Sequence, residues 1–91
     1  MMATISREDT LIAAHIEPHP HHPGEGEVRL KVEDGGVPVW VIIGATTKAG
    51  DNLAEVAHDY DVSNEAVTAA WAYYERHHAA IDCRLAENAL A

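Results

Sequence analysis

The stretch LAEVAHDYDVSNEAVTAAWAYY, residues 53–74, decides the fold. Leu53, Val56, Ala57 and Tyr60 recur at i, i+3, i+4 and i+7, the spacing of one buried helical face, and Asp51 stands where a cap is needed. A turn follows at Asp61 and Val62. Ser63 then caps a longer helix with Glu65 in its first turn and an apolar stripe of Val67, Ala70, Trp71 and Tyr74, a run that extends through Ile81 and Leu85. Two helices joined by about three residues fit a helix-turn-helix, whose second helix is the candidate reader of a nucleic-acid groove. Periodicity alone fits any small helical hairpin equally well.

Upstream, Val28, Leu30 and Val32 alternate with Arg29, Lys31 and Glu33, the period of a half-buried strand. Asp34, Gly35 and Gly36 supply tight-turn chemistry, and Val37–Ile43 is a β-branched apolar run, so the spacing predicts a β-hairpin. Pro38 places the second strand at an edge or starts it at Val39. Further upstream, Ser6 and Asp9 resemble a capping box for a helix carrying Leu11, Ile12 and Ile16, which must end before Pro18. Residues 18–26, with three prolines, read as a linker. The expected fold class is therefore α+β, mostly helical: a β-hairpin, a helix-turn-helix core and a C-terminal helix. Residues 1–27 form a loosely attached helix and His/Pro-rich linker, and 28–91 the main domain.

Ninety-one residues allow one domain with little apolar area to spare, a shortage that oligomerisation relieves. There is no Phe, so the aromatic part of the core rests on two tryptophans and three tyrosines. Fifteen acids against six Lys and Arg give a formal charge of -9, which repels phosphate backbones and favours basic protein partners. A single cysteine, Cys83, excludes an internal disulfide and a multi-cysteine zinc site, and points to a reducing cytoplasm. No stretch approaches the ~20 apolar residues of a membrane span.

Val39-Trp-Val-Ile-Ile-Gly44, Glu55-Val-Ala-His-Asp-Tyr60, Val62-Ser-Asn-Glu-Ala-Val67, Tyr73-Tyr74 and Ile81-Asp82 together resemble the family called domain of unknown function 433. The resemblance spans roughly residues 28 to 88. It implies a winged or hairpin-flanked helix-turn-helix and the antitoxin half of a toxin-antitoxin pair. The expected function is to bind and neutralise a PIN-like ribonuclease toxin, with autoregulation of its operon through DNA binding. Two other readings stand beside it: a stand-alone dimeric helix-turn-helix transcription regulator, and a homo-oligomeric adaptor with no nucleic-acid role.

Among side chains that carry chemistry, Ser63, Asn64 and Thr68 sit early on the reading helix, and Arg29, Lys31 and Lys48 offer wing-like phosphate contacts. Cationic support is thin, because only Arg76 and Arg84 follow Gly50, against eight acids. Tyr73 lies off the stripe that holds Trp71 and Tyr74, which makes Tyr73, with Trp71, the candidate partner-binding pair. His15, His19, His21 and His22 are spaced as metal ligands, yet a proline-rich segment holds them poorly and a plain linker is the favoured reading. His77 and His78 fall at a candidate bend of the long helix, and surface histidines are favoured there over a switch. Glu55, Asp59 and Asp61 match no calcium loop and read as a solvated face. No grouping supplies an acid, a base and a nucleophile together, so no enzyme, cofactor or metal is expected.

Overall fold

A computed structural model describes residues 6–90; Met1–Ile5 of the expected N-terminal segment, and Ala91, lie outside the described residues. The chain is mostly helical, with one two-stranded antiparallel sheet. Helix α1 (Arg7–His15) starts at Ser6, whose Oγ accepts from the Asp9 N–H at 3.0 Å while the Asp9 carboxylate accepts from the Ser6 N–H at 3.1 Å. Both bonds satisfy donors that a helix N-terminus leaves free. Strand β1 (Ile16–Glu17) follows and pairs with β2 (Arg29–Leu30), Ile16 opposite Leu30 and Glu17 opposite Arg29.

The hairpin expected between residues 28–32 and 37–43 is corrected by the structure. The chain does double back at Gly35 and Gly36, whose φ values of 107° and 70° suit residues without a Cβ. Leu30 N–H donates to Val37 O at 2.8 Å, and Val39 N–H to Val28 O at 3.0 Å. The returning arm then winds into helix α2 (Val39–Lys48), led by Pro38, which has no N–H to satisfy there. Its buried residues Val39, Ile42, Ile43 and Thr46 fall at i, i+3, i+4 and i+7, and the Thr46 hydroxyl donates to Ile42 O at 2.7 Å. Burial of this face, with Trp40 and Val41 half-buried beside it, accounts for the unbroken apolar run better than strand pairing does.

Helix α3 (Leu53–Asp59) is capped by Asn52, one residue later than the expected Asp51: Asn52 Oδ1 accepts from the Glu55 N–H at 3.0 Å. Its exit is a Schellman turn, with Val62 N–H to Ala57 O at 2.9 Å, Asp61 N–H to His58 O at 3.2 Å, and Asp61 in the left-handed region at φ 54°. Ser63 Oγ accepts from the Ala66 N–H at 3.0 Å and starts α4 (Asn64–Leu90). This helix breaks at His77 (φ -131°, ψ 32°), which divides a first half from a C-terminal arm.

α4 is the spine on which α1, α2, α3 and the 3-10 turn Glu25–Glu27 all pack. Leu30, Val39, Ile42, Ile43, Val56, Val67 and Ile81 are fully buried between them. Each contributes about 1.5–3 kcal/mol relative to exposure. α1, expected to be loose, lies along α4: Leu11 and Ile12 pack on the core, and the Arg76 guanidinium bonds Asp9 and Ser6 Oγ. That guanidinium, followed by the bonds from Ser6, holds the Asp9 carboxyl below the usual range.

Candidate partner-binding face

Ser63, Asn64 and Thr68 are exposed at the start of α4, but two of their hydroxyls have local partners. Ser63 Oγ caps the helix, and Thr68 Oγ1 donates to Asn64 O at 2.9 Å. The cations expected to support them are dispersed. Arg29 pairs with Glu17 at 2.8 Å, and Lys48 sits at the far end of α2. Lys31 is nearest in connectivity: its N–H bonds His15 O, and the His15 ring lies 2.9 Å from Asp34 and 3.9 Å from Glu65 in the first turn of α4. The start of α4 thus has the His15 ring, shared with Asp34, as its neighbour.

Tyr73, expected to be an interface residue, is corrected to a core position with 7 % of its surface exposed. Its O–H donates to Glu25 O at 2.6 Å and its ring stacks on His77 at 4.3 Å between centroids. The 3-10 turn that covers it runs along α4 as a strap: Glu25 also faces His77 Nδ1 at 3.3 Å, and Glu27 meets Arg84 at 2.9 Å. Gly26 lies so close to the helix that a Cβ there would sit 2.8 Å from Ala80 O. Sequence spacing carries no sign of this cover, because the strap comes from a segment 48 residues away.

Trp71 stays partly exposed and, with Asp51, Leu53 and Glu75, borders a shallow depression at the N-terminal end of α3. Its ring meets Tyr74 edge-on at 5.3 Å, and Tyr74 O–H donates to Asp82 at 2.7 Å, a bond that raises the phenol pKa. The C-terminal end of α3 borders a second, deeper cleft of about 410 Å³ between α2 and the arm of α4. Trp40, Ala45, Lys48, Tyr60, Leu85 and Ala89 line it. Arg84 lies over the Trp40 ring at 4.3 Å, and Gly44 leaves room for Leu85, whose Cδ2 would be 3.1 Å from a Cβ there. Sequence reasoning missed this cleft, because it read Trp40 as part of a strand.

Ion pairing divides the carboxylates. Glu8, Asp9, Glu17, Glu25, Glu27 and Asp34 each face an Arg or His side chain. Asp51, Glu55, Asp59 and Asp61, on α3 and its two ends, are exposed and form no ion pair among the described residues. Glu33, Glu75, Asp82 and Glu87 join those around α3 in forming no ion pair among the described residues. α3 therefore presents a run of unneutralised carboxylates with an apolar depression at each end.

The linker histidines His19, His21 and His22 gather, with His19 Nδ1 accepting from the N–H of His21 and His22 at 3.0 and 3.2 Å. Burial, then the neighbouring His22, lowers the His19 pKa. Among the described residues no group of three or more His, Cys, Asp or Glu is placed to hold a metal ion, and no helix is long and apolar enough to cross a membrane.

The family described as Protein of unknown function (DUF433) matches residues 29–74, half of the chain. The matched segment runs from β2 through α2 and α3 to the first half of α4, and ends three residues before the break at His77. No curated protein and no solved structure matches the chain.

Proposed function

Since the chain belongs to the DUF433 family, we propose that it is an antitoxin-like protein that binds and neutralises a PIN-like ribonuclease toxin. The observation that carries this reading is the charge sorting on α3. Carboxylates that lack internal partners raise the local negative potential, steer a basic protein toward that face, and discriminate against acidic ones. A ribonuclease that grips an RNA backbone is cationic where it does so. The apolar depressions beside α3 then supply contact area that charge alone does not.

In this reading α3, the turn at Tyr60–Ser63 and the first half of α4 act as a helix-turn-helix, and operon autoregulation belongs to the toxin-bound complex. The free chain carries Glu65 beside Asn64 in the first turn of α4, and its Arg29 is held by Glu17. Cations from the bound toxin are needed to offset that repulsion.

The test begins with purification of the tagged chain at native level and identification of a stoichiometric nuclease, followed by an RNA-cleavage assay of that nuclease. The chain is expected to inhibit cleavage. Changing Glu55→Gln, Asp59→Asn and Asp61→Asn together should slow association by about tenfold and flatten its salt dependence. Uninhibited cleavage at saturating chain, or a triple variant that inhibits as fast as the native chain, refutes the proposal.

A further inference from the structure

The depression at the N-terminal end of α3 is bordered by Leu53 and Trp71 on its apolar side and by Asp51 and Glu75 on its polar side. Its volume is about 390 Å³, and it is shallow, the form of a seat for an anchor side chain rather than of an enclosed ligand pocket. Trp71 is half-buried, yet its indole N–H is sealed and has no hydrogen-bond partner among the described residues. What the ring exposes is therefore carbon, and the Tyr74 ring supports it edge-on at 5.3 Å.

The two acids come from different elements. Asp51 sits in the turn after α2, where its N–H donates to Thr46 O at 2.9 Å, and Glu75 lies one helical turn beyond Trp71 on α4. Both are exposed, and neither forms an ion pair among the described residues. The neighbouring cations are engaged or placed elsewhere: Arg76 is held by Glu8 and Asp9, and Lys48 lines the other cleft. Both charged residues of this lining are acids, whereas the one charged residue lining the cleft beside α2 is a lysine.

We propose that this depression is the seat of an arginine side chain from a basic partner protein. Aromatic carbon beside two unpaired carboxylates complements a cation that is flat and weakly hydrated. A guanidinium stacks on an indole and forks its N–H donors to carboxylates, which the compact, strongly hydrated ammonium of lysine does less well. An apolar side chain would desolvate both carboxylates without giving them a partner. The N-terminus of α3 opposes a cation with about half a positive charge, which two full carboxylate charges outweigh. A second copy of this chain, itself at -9, approaches against repulsion. The inference deepens the antitoxin reading and rests on it only for the source of the arginine.

The experiment is a ¹⁵N NMR titration of the full chain with N-acetyl-arginine methylamide, set beside the lysine and citrulline analogues. The expected result is a saturable shift of the Trp71 indole N–H and of the Asp51 and Leu53 amides, with the Trp40 indole N–H unmoved. The lysine analogue should bind several-fold more weakly, and the citrulline analogue, which keeps the shape and loses the charge, should not bind. Asp51→Asn and Glu75→Gln should each weaken binding about fivefold; both positions are exposed, and Asn tolerates the left-handed backbone found at Asp51. Shifts spread over the exposed carboxylates instead of centred on Trp71, an equal response to either analogue, unchanged affinity in both variants, or no response each overturn the proposal. So do probe-free, concentration-dependent shifts at Trp71, which would put a second copy in the seat. Binding at Trp71 by a chain that does not inhibit the nuclease removes the antitoxin reading and keeps the seat. Inhibition without binding of the arginine probe does the reverse.

Discussion

At Tyr73 a single phenol links the strap to the spine, and its titration reports the link. Burial, with the Glu25 charge as the second cause, pushes its pKa up to about 12 from an ordinary 10.0. Between those values the folded chain holds a proton that the unfolded chain releases, so Tyr73 makes stability fall as pH rises from 10 to 12, by at most about 2–3 kcal/mol. Tyr73→Phe should cost roughly 1 kcal/mol at neutral pH through the lost bond to Glu25 O, and should flatten that alkaline decline in urea denaturation followed by circular dichroism. An unchanged slope would show that the decline originates elsewhere. The fate of Tyr73 was not legible in the sequence, since helical spacing ranks a residue only against its own helix and the covering group here is Glu25. Trp71 reads in the sequence as part of the apolar stripe, and the structure leaves it half-buried at the edge of a depression.

Among the elements, those announced by a polar cap were readable. Ser6 with Asp9, and Ser63 alone, fix the starts of α1 and α4 by satisfying backbone donors locally, so nothing distant is needed to recognise them. α2 was not readable in this way. It has no side-chain cap, and its β-branched run from Val37 to Ile43 satisfies a strand pattern as well as a buried helix, an ambiguity resolved by what packs around it. The exit of α3 carries a prediction of its own. Asp61 occupies the left-handed C′ position that Gly50 takes after α2, so Asp61→Gly should hold or raise stability by up to about 0.5 kcal/mol. Asp61→Val should lower it by about 1–2 kcal/mol. Thermal melts of both variants check this, and equal melting temperatures would mean that the turn relaxes out of its left-handed conformation.

Across the whole molecule, the surplus of carboxylates acts against compaction as well as toward partners. Raising salt from low to physiological strength should lift the melting temperature of the free chain by about 2–4 °C, the effect of roughly 0.5 kcal/mol in a domain of this size. A fall would show that the ion pairs of Arg29, Arg76 and Arg84 outweigh the general repulsion. The acidic balance, and with it the kind of partner, was legible from composition. Its sorting onto α3 was not, because pairing in space decides which carboxylates are neutralised.

The clasp between Arg76 and the residues Ser6 and Asp9 joins points 70 and 67 positions apart. During synthesis the N-terminal helix leaves the ribosome long before the spine that receives it. Closing so long a loop has a high entropic cost, and local helices form well ahead of it. Leu11 and Ile12 therefore remain uncovered on the nascent chain until the first half of α4, which carries Arg76, has been made. The order of translation makes the seam between first and last helices a late one to shut, and until it does the apolar side of the N-terminal helix is open to aggregation.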